Sequence, residues 1–426
     1  MEKLYLGVGQ ACITPDVGGQ LYGYSPNIFS DCVADDLTVT AFWFEQGDTK
    51  ALMLSVCVCL IQTELAGQIA AQIAKEFSIP RENILICATH THSGPNTCGT
   101  VGWGDIDRDY CDKIFLPQIL SAVRQAAAAP VPVELRAAVG ESKVGINRRE
   151  LRLDNLIVLG QSPWGIYDPR MTVLSFRDAQ GNAVANLIHY GCHGTCAGSN
   201  TEITRDWSGV MVDAIAEKSG AITAFFNGPE GDVGPRLSNG KTVGDLSYVR
   251  EQGQIAAQDA LAIYDSLQPC QSCQLRTAAR QVRIPLKPRI SKEEAGKLLQ
   301  IYADSTINCG AMIKAQAEEV LKGAPEKAYT GFTQTLIAIG DYIFTAFPYE
   351  LFSEVGQRID RAFADLHILS LSNTNGSEGY FVTEDAILRG GYEVNMYLYG
   401  HDQQYCENAD HCLVLETLEN IKSLAV

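Results

Sequence analysis

The chain has 426 residues, of which 46% are hydrophobic and 19% are charged, and this balance is typical of a folded globular protein rather than a disordered or fibrous one. The 50 acidic and 33 basic residues give a formal net charge of −17, so we do not expect the cationic surface that binds nucleic acid. The longest nearly unbroken apolar run, residues 51–61, is shorter than the roughly 20 residues of a membrane span. We therefore predict a globular protein without a transmembrane segment.

The amino terminus and the cysteines bear on the cellular compartment. The first sixteen residues contain no apolar block of signal-peptide length, so we expect a cytoplasmic protein whose 14 cysteines are reduced. Cys270 and Cys273 have the spacing of metal ligands, but a structural zinc site needs a second such pair, and the sequence has none. We expect no zinc site at these two cysteines.

Apolar periodicity predicts strands and helices in alternation from the first elements onward. Alternating apolar residues over 37–43 lead to a turn signal at residues 46–48, and the run 51–61 is typical of a buried strand. Apolar side chains every fourth residue predict a helix over 65–77, and the run 84–88 predicts a further strand. This strand-helix-strand unit should place its two strands parallel to each other.

The same alternation continues to the end of the chain. Strands are expected over 184–192, 221–226, 334–339 and 343–347, and helices over 208–218, 246–267 and 351–363. Ser291 and Glu294 have the spacing of a capping box that begins another helix. We predict an α/β protein with mixed, largely parallel sheets flanked by helices. It should form a single domain over residues 1–426, with a candidate sub-region boundary near residues 268–287.

The end of predicted strand 84–88 carries the first candidate site, because ligands of open α/β sheets bind beyond the carboxyl ends of the strands. His90 and His92 follow this strand, and on an extended backbone their side chains point the same way. Two neutral imidazoles can share a metal ion, or one can bind it while the other contacts a substrate. The alternative is a pair of partly buried histidines that are satisfied by backbone hydrogen bonds.

Three further strand ends carry polar candidates. His193 follows the strand 184–192 and is a candidate ligand. Asn227, Asp232 and Gly234 lie in a segment rich in Gly and Pro, whose irregular backbone can approach a bound molecule, so we predict that they bind substrate. The alternative is a tight surface loop with Asp232 as a turn former. Glu350 is either a third ligand or the acidic complement of a helix amino terminus.

Taken together, these motifs resemble those of the neutral ceramidase family, zinc amidohydrolases that cleave the N-acyl bond of ceramide. The most specific motif is Ala-Thr-His-Thr-His-Ser-Gly-Pro at residues 88–95. Shorter motifs follow the family order at residues 9–15, 147–149, 168–169, 193–195, 231–233, 347–350, 379–383 and 392–393. The resemblance therefore spans nearly the whole chain.

The resemblance implies a role for each matching residue. The zinc ligands would be His90, His193, Glu350 and Tyr380. The catalytic residues facing the scissile carbonyl would be His92, Arg148 and Tyr392. The implied reaction is hydrolysis by a zinc-activated water, with His92 and Arg148 stabilising the oxyanion by about 3 to 4 kcal/mol per donor.

The chain departs from the family pattern at Gly234, where the ceramidase motif has a serine that has been proposed as catalytic. A serine nucleophile at this position is excluded, whereas a metal-activated water is compatible with glycine. We also expect no immunoglobulin-like domain after the catalytic part. The sequence thus predicts a zinc-dependent hydrolase, acting on an N-acyl amide or an ester of a small or lipid-like molecule, in which homo-oligomer formation is left open. The alternatives are a catalytically silent metal- or ligand-binding homologue and a metal-dependent isomerase or lyase with His92 as acid or base.

Overall fold

Two mixed β-sheets lie face to face at the centre of the computed structural model, which describes residues 2–401 and 403–424. The main strands of the large sheet are β1 (Leu4–Cys12), β2 (Thr38–Gln46), β3 (Thr49–Val56), β4 (Ile84–Ala88), β5 (Val131–Glu141), β6 (Arg170–Arg177), β7 (Ala183–Tyr190) and β8 (Ile222–Asn227). Their spatial order is β8-β7-β6-β5-β1-β2-β3-β4, and Gln268–Pro269 also pairs with β5. The small sheet contains, in order, β9 (Leu275–Pro285), β10 (Tyr329–Ile339), β11 (Tyr342–Ala346) and β12 (His367–Leu371).

Helices and short strand pairs complete the fold. The helices are α1 (Thr63–Phe77), α2 (Leu116–Ala128), α3 (Asp206–Ser219), α4 (Leu246–Tyr264), α5 (Lys292–Ile301), α6 (Asn308–Lys322), α7 (Ser353–Asp360), α8 (Glu384–Arg389), α9 (Tyr392–Tyr399) and α10 (Ala409–Lys422). The short helical turns are Arg81–Asn83, Arg108–Tyr110 and Cys111–Phe115. The short strand pairs are Leu21–Tyr22 with Gly94–Pro95, Cys32–Val33 with Glu202–Ile203, Gly145–Asn147 with Val233–Pro235, Arg149–Leu151 with Ile157–Leu159, and Glu350–Leu351 with Tyr380–Phe381. Among the described residues, no helix combines the length and the hydrophobicity of a transmembrane span.

The layering explains why several strands are apolar on both faces. In β2, Phe42 and Phe44 belong to the apolar cluster that also contains Phe344 and other residues of the small sheet. The alternate residues Ala41 and Trp43 belong to the cluster that contains the apolar faces of α1 and α2. Because successive strand residues point to opposite faces, a strand between two apolar layers shows a continuous apolar run instead of an alternating one.

Strand direction follows the connections, and here the structure corrects the sequence-based expectation. The α/β class and the mixed sheets are confirmed, but most strand pairs in the described part of the two sheets are antiparallel. Parallel pairs join β3 to β4, β7 to β8 and β11 to β12, and the helices α1, α3 and α7 lie between these strands in the chain. A short turn reverses the chain, so only the helical crossovers produce parallel neighbours.

Most predicted strands and helices agree with the structure to within about three residues, but β10 begins at Tyr329, before the predicted strand 334–339. The capping box of Ser291 and Glu294 is confirmed at the start of α5. The strand predicted over 51–61 ends at Val56, and the buried residues that follow it lie outside the sheet. The passage from the large to the small sheet falls within residues 268–287, and the single-domain organisation stays a prediction.

Candidate metal centre

Loops that follow parallel strands of both sheets meet in one buried place. His90 follows β4, His193 follows β7 and Glu350 follows β11. One side-chain ligand atom from each residue lies within 4.8 Å of the other two, and all three residues are buried. Glu350 Oε2 is 3.1 Å from His193 Nε2 and 3.4 Å from His90 Nε2. The three side chains therefore converge on a common point, as the ligands of a metal ion do.

Tyr380 reaches the same point through a short parallel strand pair. Glu350 and Tyr380 are register partners in this pair, so their side chains leave the backbone next to each other. The Tyr380 hydroxyl oxygen lies 3.4 Å from His193 Nε2. All four residues that the family resemblance implies as ligands are thus brought together, and the α7 helix begins only at Ser353, after the strand pair.

Both histidine ligand candidates are oriented by backbone carbonyl groups. His90 Nδ1 lies 3.0 Å from the Cys59 carbonyl oxygen, and His193 Nδ1 lies 2.9 Å from that of Glu230. A carbonyl oxygen can only accept a hydrogen bond, so each Nδ1 carries a proton and Nε2 is the ring nitrogen that faces the common centre. This arrangement is typical of metal-ligating histidines.

The charge state of Glu350 also suits a cation. Burial raises the pKa of this carboxyl group, but His90 and a hydrogen bond from His193 oppose it and hold the pKa well below its usual value. Two imidazole nitrogens, a carboxylate oxygen and a phenolic oxygen around one point form a donor set that suits a divalent cation such as Zn²⁺. The residues present therefore fit a metal ion.

His92 lies beside this donor set with a different environment. Its Nε2 is 3.3 Å from His90 Nε2, whereas its Nδ1 is buried and has no hydrogen-bond partner among the described residues. Burial lowers the pKa of His92 well below the usual value for histidine, and His90 and His193 lower it further. His92 is therefore a neutral imidazole without the carbonyl anchor that His90 and His193 share.

The two histidines of the 90–92 segment face the same cavity for a reason that the sequence did not reveal. The expected extended backbone is not present, because His90 has a φ of 68°. This left-handed conformation is uncommon for a residue with a side chain and is found at functional sites. A parallel bridge between Thr91 and Gly194 holds the segment against the loop of His193.

Arg148 and Tyr392 lie on the other side of Tyr380. Arg148 Nη2 donates a 2.8 Å hydrogen bond to the Tyr380 oxygen, and the Tyr392 ring lies 5.9 Å from the Tyr380 ring between centroids. Burial lowers the pKa of Arg148, but the neighbouring Tyr380 and Glu393 raise it more strongly, so the guanidinium stays charged. The three residues implied as catalytic thus border the donor set from two directions.

A small cavity of about 130 Å³ opens onto the ligand candidates. It is lined by His90, His92, Glu350, Tyr380 and Tyr392. Its remaining walls include the aromatic and apolar side chains of Tyr22, Leu60, Trp103, Met312 and Met396. A polar end and apolar walls are typical of sites that bind partly apolar small molecules.

Asn227 and Asp232, which the sequence predicts to bind substrate, form hydrogen bonds with other parts of the protein. The Asn227 amide accepts a hydrogen bond from the Cys192 backbone N–H and donates to the Thr89 carbonyl oxygen, which ties together the ends of β4 and β7. The Asp232 carboxyl group accepts from the Ser353 backbone N–H and from the Asn147 amide. Both side chains are absent from the described lining of the cavity, so their substrate-binding role stays a prediction.

Gly234 lies in the short strand pair Gly145–Asn147 with Val233–Pro235. A Cβ atom at this position would come within 2.7 Å of the Thr242 Cβ atom. The space that a serine would need here is therefore filled by Thr242, which is itself buried. Whether Gly234 contacts substrate stays a prediction.

The family was tested by comparison with known proteins. A family model described as "Neutral/alkaline non-lysosomal ceramidase, N-terminal" matches residues 4–255, more than half of the chain. The chain belongs to the neutral/alkaline non-lysosomal ceramidase family. Ceramidases are hydrolases, so this is a hydrolase family.

Individual relatives agree with this family membership. The chain is 26% identical to the neutral ceramidase of Pseudomonas aeruginosa over 247 residues, which cover 54% of this chain and 37% of that protein. It is 24% identical to neutral ceramidase A of Dictyostelium discoideum over 258 residues, which cover 54% of this chain and 35% of that protein. The chain thus spans little more than a third of the length of these relatives.

Solved structures extend the likeness in fold to the whole chain. The crystal structure of neutral ceramidase from Pseudomonas aeruginosa matches with a TM-score of 0.75 at 20% identity, covering 100% of this chain and 76% of that chain. A structure of ceramidase complexed with C2 matches with a TM-score of 0.76 at 18% identity and the same coverage. The shared fold includes Glu350 and Tyr380, which lie beyond the residues matched by the family model.

Proposed function

We propose that the protein is a zinc-dependent hydrolase that cleaves an N-acyl amide bond or, as a less favoured substrate, an ester. The observation that supports this most strongly is the buried donor set of His90, His193, Glu350 and Tyr380, in which both imidazoles turn Nε2 to one centre. Membership of a hydrolase family whose named members are neutral ceramidases supports the choice of an amide.

The proposed metal ion, His92 and Arg148 would each have a different role in the reaction. Bound zinc would supply Lewis-acid polarisation of a carbonyl group and ease the ionisation of water. His92, a neutral imidazole at the cavity wall, can present an N–H group to the oxygen on which negative charge develops. Arg148 adds a fixed positive charge that its contact with Tyr380 directs toward the same region. Donors of this kind are worth about 3 to 4 kcal/mol each when aimed at the developing oxyanion.

The shape of the site supports a substrate with a small polar amide and an apolar arm. The cavity of about 130 Å³ has Trp103 and Met396 in its wall, and neither side chain offers a charge. We therefore propose an N-acyl compound of a small or lipid-like molecule as substrate. The cytoplasmic location and homo-oligomer formation stay predictions from the sequence.

The proposal is tested by measuring hydrolysis of a panel of N-acyl amides and esters by the zinc-loaded protein. Reaction in ¹⁸O-labelled water distinguishes hydrolysis, which places solvent oxygen in the released acid, from isomerisation or elimination, which does not. His90→Ala and His193→Ala should lose both zinc and turnover. A protein that binds zinc stoichiometrically but hydrolyses none of the panel would contradict the proposal and favour a silent metal-binding homologue.

A further inference from the structure

Glu393 is a buried carboxylate whose two oxygen atoms each bind a different arginine. It lies in the first turn of α9 and is 1% exposed. Glu393 Oε1 accepts a 2.9 Å hydrogen bond from Arg148 Nε, and Oε2 accepts a 2.7 Å hydrogen bond from Arg149 Nη1. Glu393 is absent from the described lining of the cavity, so it does not face a molecule bound there.

Arg149 fixes the position of the Glu393 carboxylate, because its guanidinium also binds other parts of the protein. Arg149 Nη2 donates a 2.6 Å hydrogen bond to the Gly390 carbonyl oxygen, just before α9 begins. The Arg149 guanidinium also lies over the Phe352 ring, 5.4 Å from its centroid. Glu393 is therefore held in place from one side while its other oxygen holds Arg148.

The geometry of Arg148 connects this carboxylate to the proposed metal ligand. A guanidinium group is planar and rigid, so fixing Nε also fixes the direction of both Nη atoms. With Nε bound to Glu393, Nη2 donates its 2.8 Å hydrogen bond to the Tyr380 oxygen. Arg148 is itself buried, and a buried cation needs a counter-charge to remain in place.

We propose that Glu393 is a positioning residue, which holds Arg148 in the one orientation that directs its guanidinium to the Tyr380 oxygen. The geometric part of this proposal concerns contacts within the chain alone, whereas its effect on turnover rests on the proposed function. Glu393 touches neither the substrate cavity nor the reacting atoms. Its influence on the reaction passes through Arg148.

Glu393→Gln tests the proposal with little change in volume. The amide has one acceptor oxygen for two arginines, so Arg148 loses its counter-charge and its fixed orientation. We expect kcat to fall about 10- to 100-fold, in line with the loss of a charged hydrogen bond, while KM changes less than about threefold. Zinc content should equal that of the wild type, because Glu393 is not among the ligand candidates.

A double-mutant cycle separates positioning from a general structural role. In an Arg148→Ala background, Glu393→Gln should cause no further loss of kcat. A further loss of the same size in that background would overturn the proposal, because Glu393 would then act by another route. If Glu393→Gln does not fold, Arg148→Lys tests the same geometry: it keeps a positive charge beside Glu393 but removes the rigid fork. Wild-type kcat in Arg148→Lys would also overturn the proposal.

Asp410→Asn is a matched control. Asp410 is likewise buried and forms a 2.7 Å ion pair with Arg358, but this pair joins α7 and α10 and does not contact the ligand candidates. Asp410→Asn should lower the melting temperature without changing kcat per bound zinc. An equal loss of kcat in this control would show that any buried ion pair matters equally, and that result would contradict a specific role for Glu393.

Crystal structures of the wild type and Glu393→Gln, prepared without metal, make the test independent of the proposed function. The contact of Arg148 Nη2 with the Tyr380 oxygen should be present in the wild type and lost in the variant. If the wild type has neither zinc nor hydrolytic activity, the proposed function fails while this comparison still decides whether Glu393 positions Arg148. An unchanged Arg148 in the variant would overturn the proposal.

Discussion

Replacing Gly23 with alanine tests whether catalysis depends on the exact placement of His92. Gly23 has a φ of 133°, and a Cβ atom added there would overlap the His92 ring, lying 2.6 Å from its Cγ atom. Gly18, in the same segment, has a φ of 100° and open space around the position of its Cβ atom. Gly18→Ala therefore carries a comparable backbone penalty without the contact with His92.

The size of the effect follows from the distance. Carbon atoms in contact prefer a separation of about 3.5 to 4.0 Å, so an approach to 2.6 Å requires the His92 ring to move by about 1 Å. A displacement of about 1 Å in a catalytic group can cost about 100-fold in rate. Both alanines should lower stability by about 1 kcal/mol or more through the positive φ, and this cost cancels in the comparison. We therefore expect kcat of Gly23→Ala to be about 100-fold below that of Gly18→Ala.

The assay measures kcat, KM and zinc content of Gly23→Ala, Gly18→Ala and His92→Ala with the best N-acyl substrate of the panel. Zinc content should be unchanged in all three variants, because we propose that zinc binds His90, His193, Glu350 and Tyr380 rather than His92. Gly23→Ala should approach His92→Ala in kcat. Equal kcat values for Gly23→Ala and Gly18→Ala would contradict a role for His92 in the reaction.

Three further outcomes are expected. Gly234→Ser should lower the free energy of unfolding by about 1 to 3 kcal/mol, because its Cβ atom would lie 2.7 Å from the Thr242 Cβ atom. Urea unfolding should show that adding Thr242→Gly restores part of this stability. An unchanged urea midpoint in Gly234→Ser would contradict the predicted steric overlap. Zinc at about 100 times its Kd should raise the free energy of unfolding by about 2.7 kcal/mol, and a melting temperature that does not respond to zinc or chelator would count against the site. Replacing both Cys270 and Cys273 with serine should leave the zinc content unchanged, because neither cysteine belongs to a candidate metal-binding group among the described residues. A lower zinc content in this double variant would show that the two cysteines bind zinc.

Three of the ligand candidates could be predicted from the sequence because each lies just after the end of a predicted strand. His90, His193 and Glu350 each follow a strand that the apolar pattern indicates, and parallel strands bring such ends together. The contact of Glu393 with Arg148 joins positions 245 residues apart, and no local pattern reports such a pair. The sequence signal for Glu393 was its place in the short motif at residues 392–393, which gives no indication of its partner.

For the predicted substrate-binding residues, the sequence does not show where each side chain points. The sequence identifies Asn227 as a polar residue at a strand end, but it does not show that its amide would bind the backbone of two neighbouring loops. The same limit applies to sheet direction. The antiparallel strands β1, β5 and β6 pair over long sequence distances, whereas the helical crossovers that produce parallel pairs are visible as local periodicity.

Elemental analysis of the purified wild type, His193→Ala and His367→Ala measures whether the buried donor set holds a metal ion. His193 is a buried ligand candidate, whereas His367 is an exposed histidine at the start of β12 and serves as the control. About one zinc per chain is expected in the wild type and in His367→Ala, and almost none in His193→Ala. No zinc in the wild type after reloading, or full zinc in His193→Ala, would contradict a zinc site that includes His193.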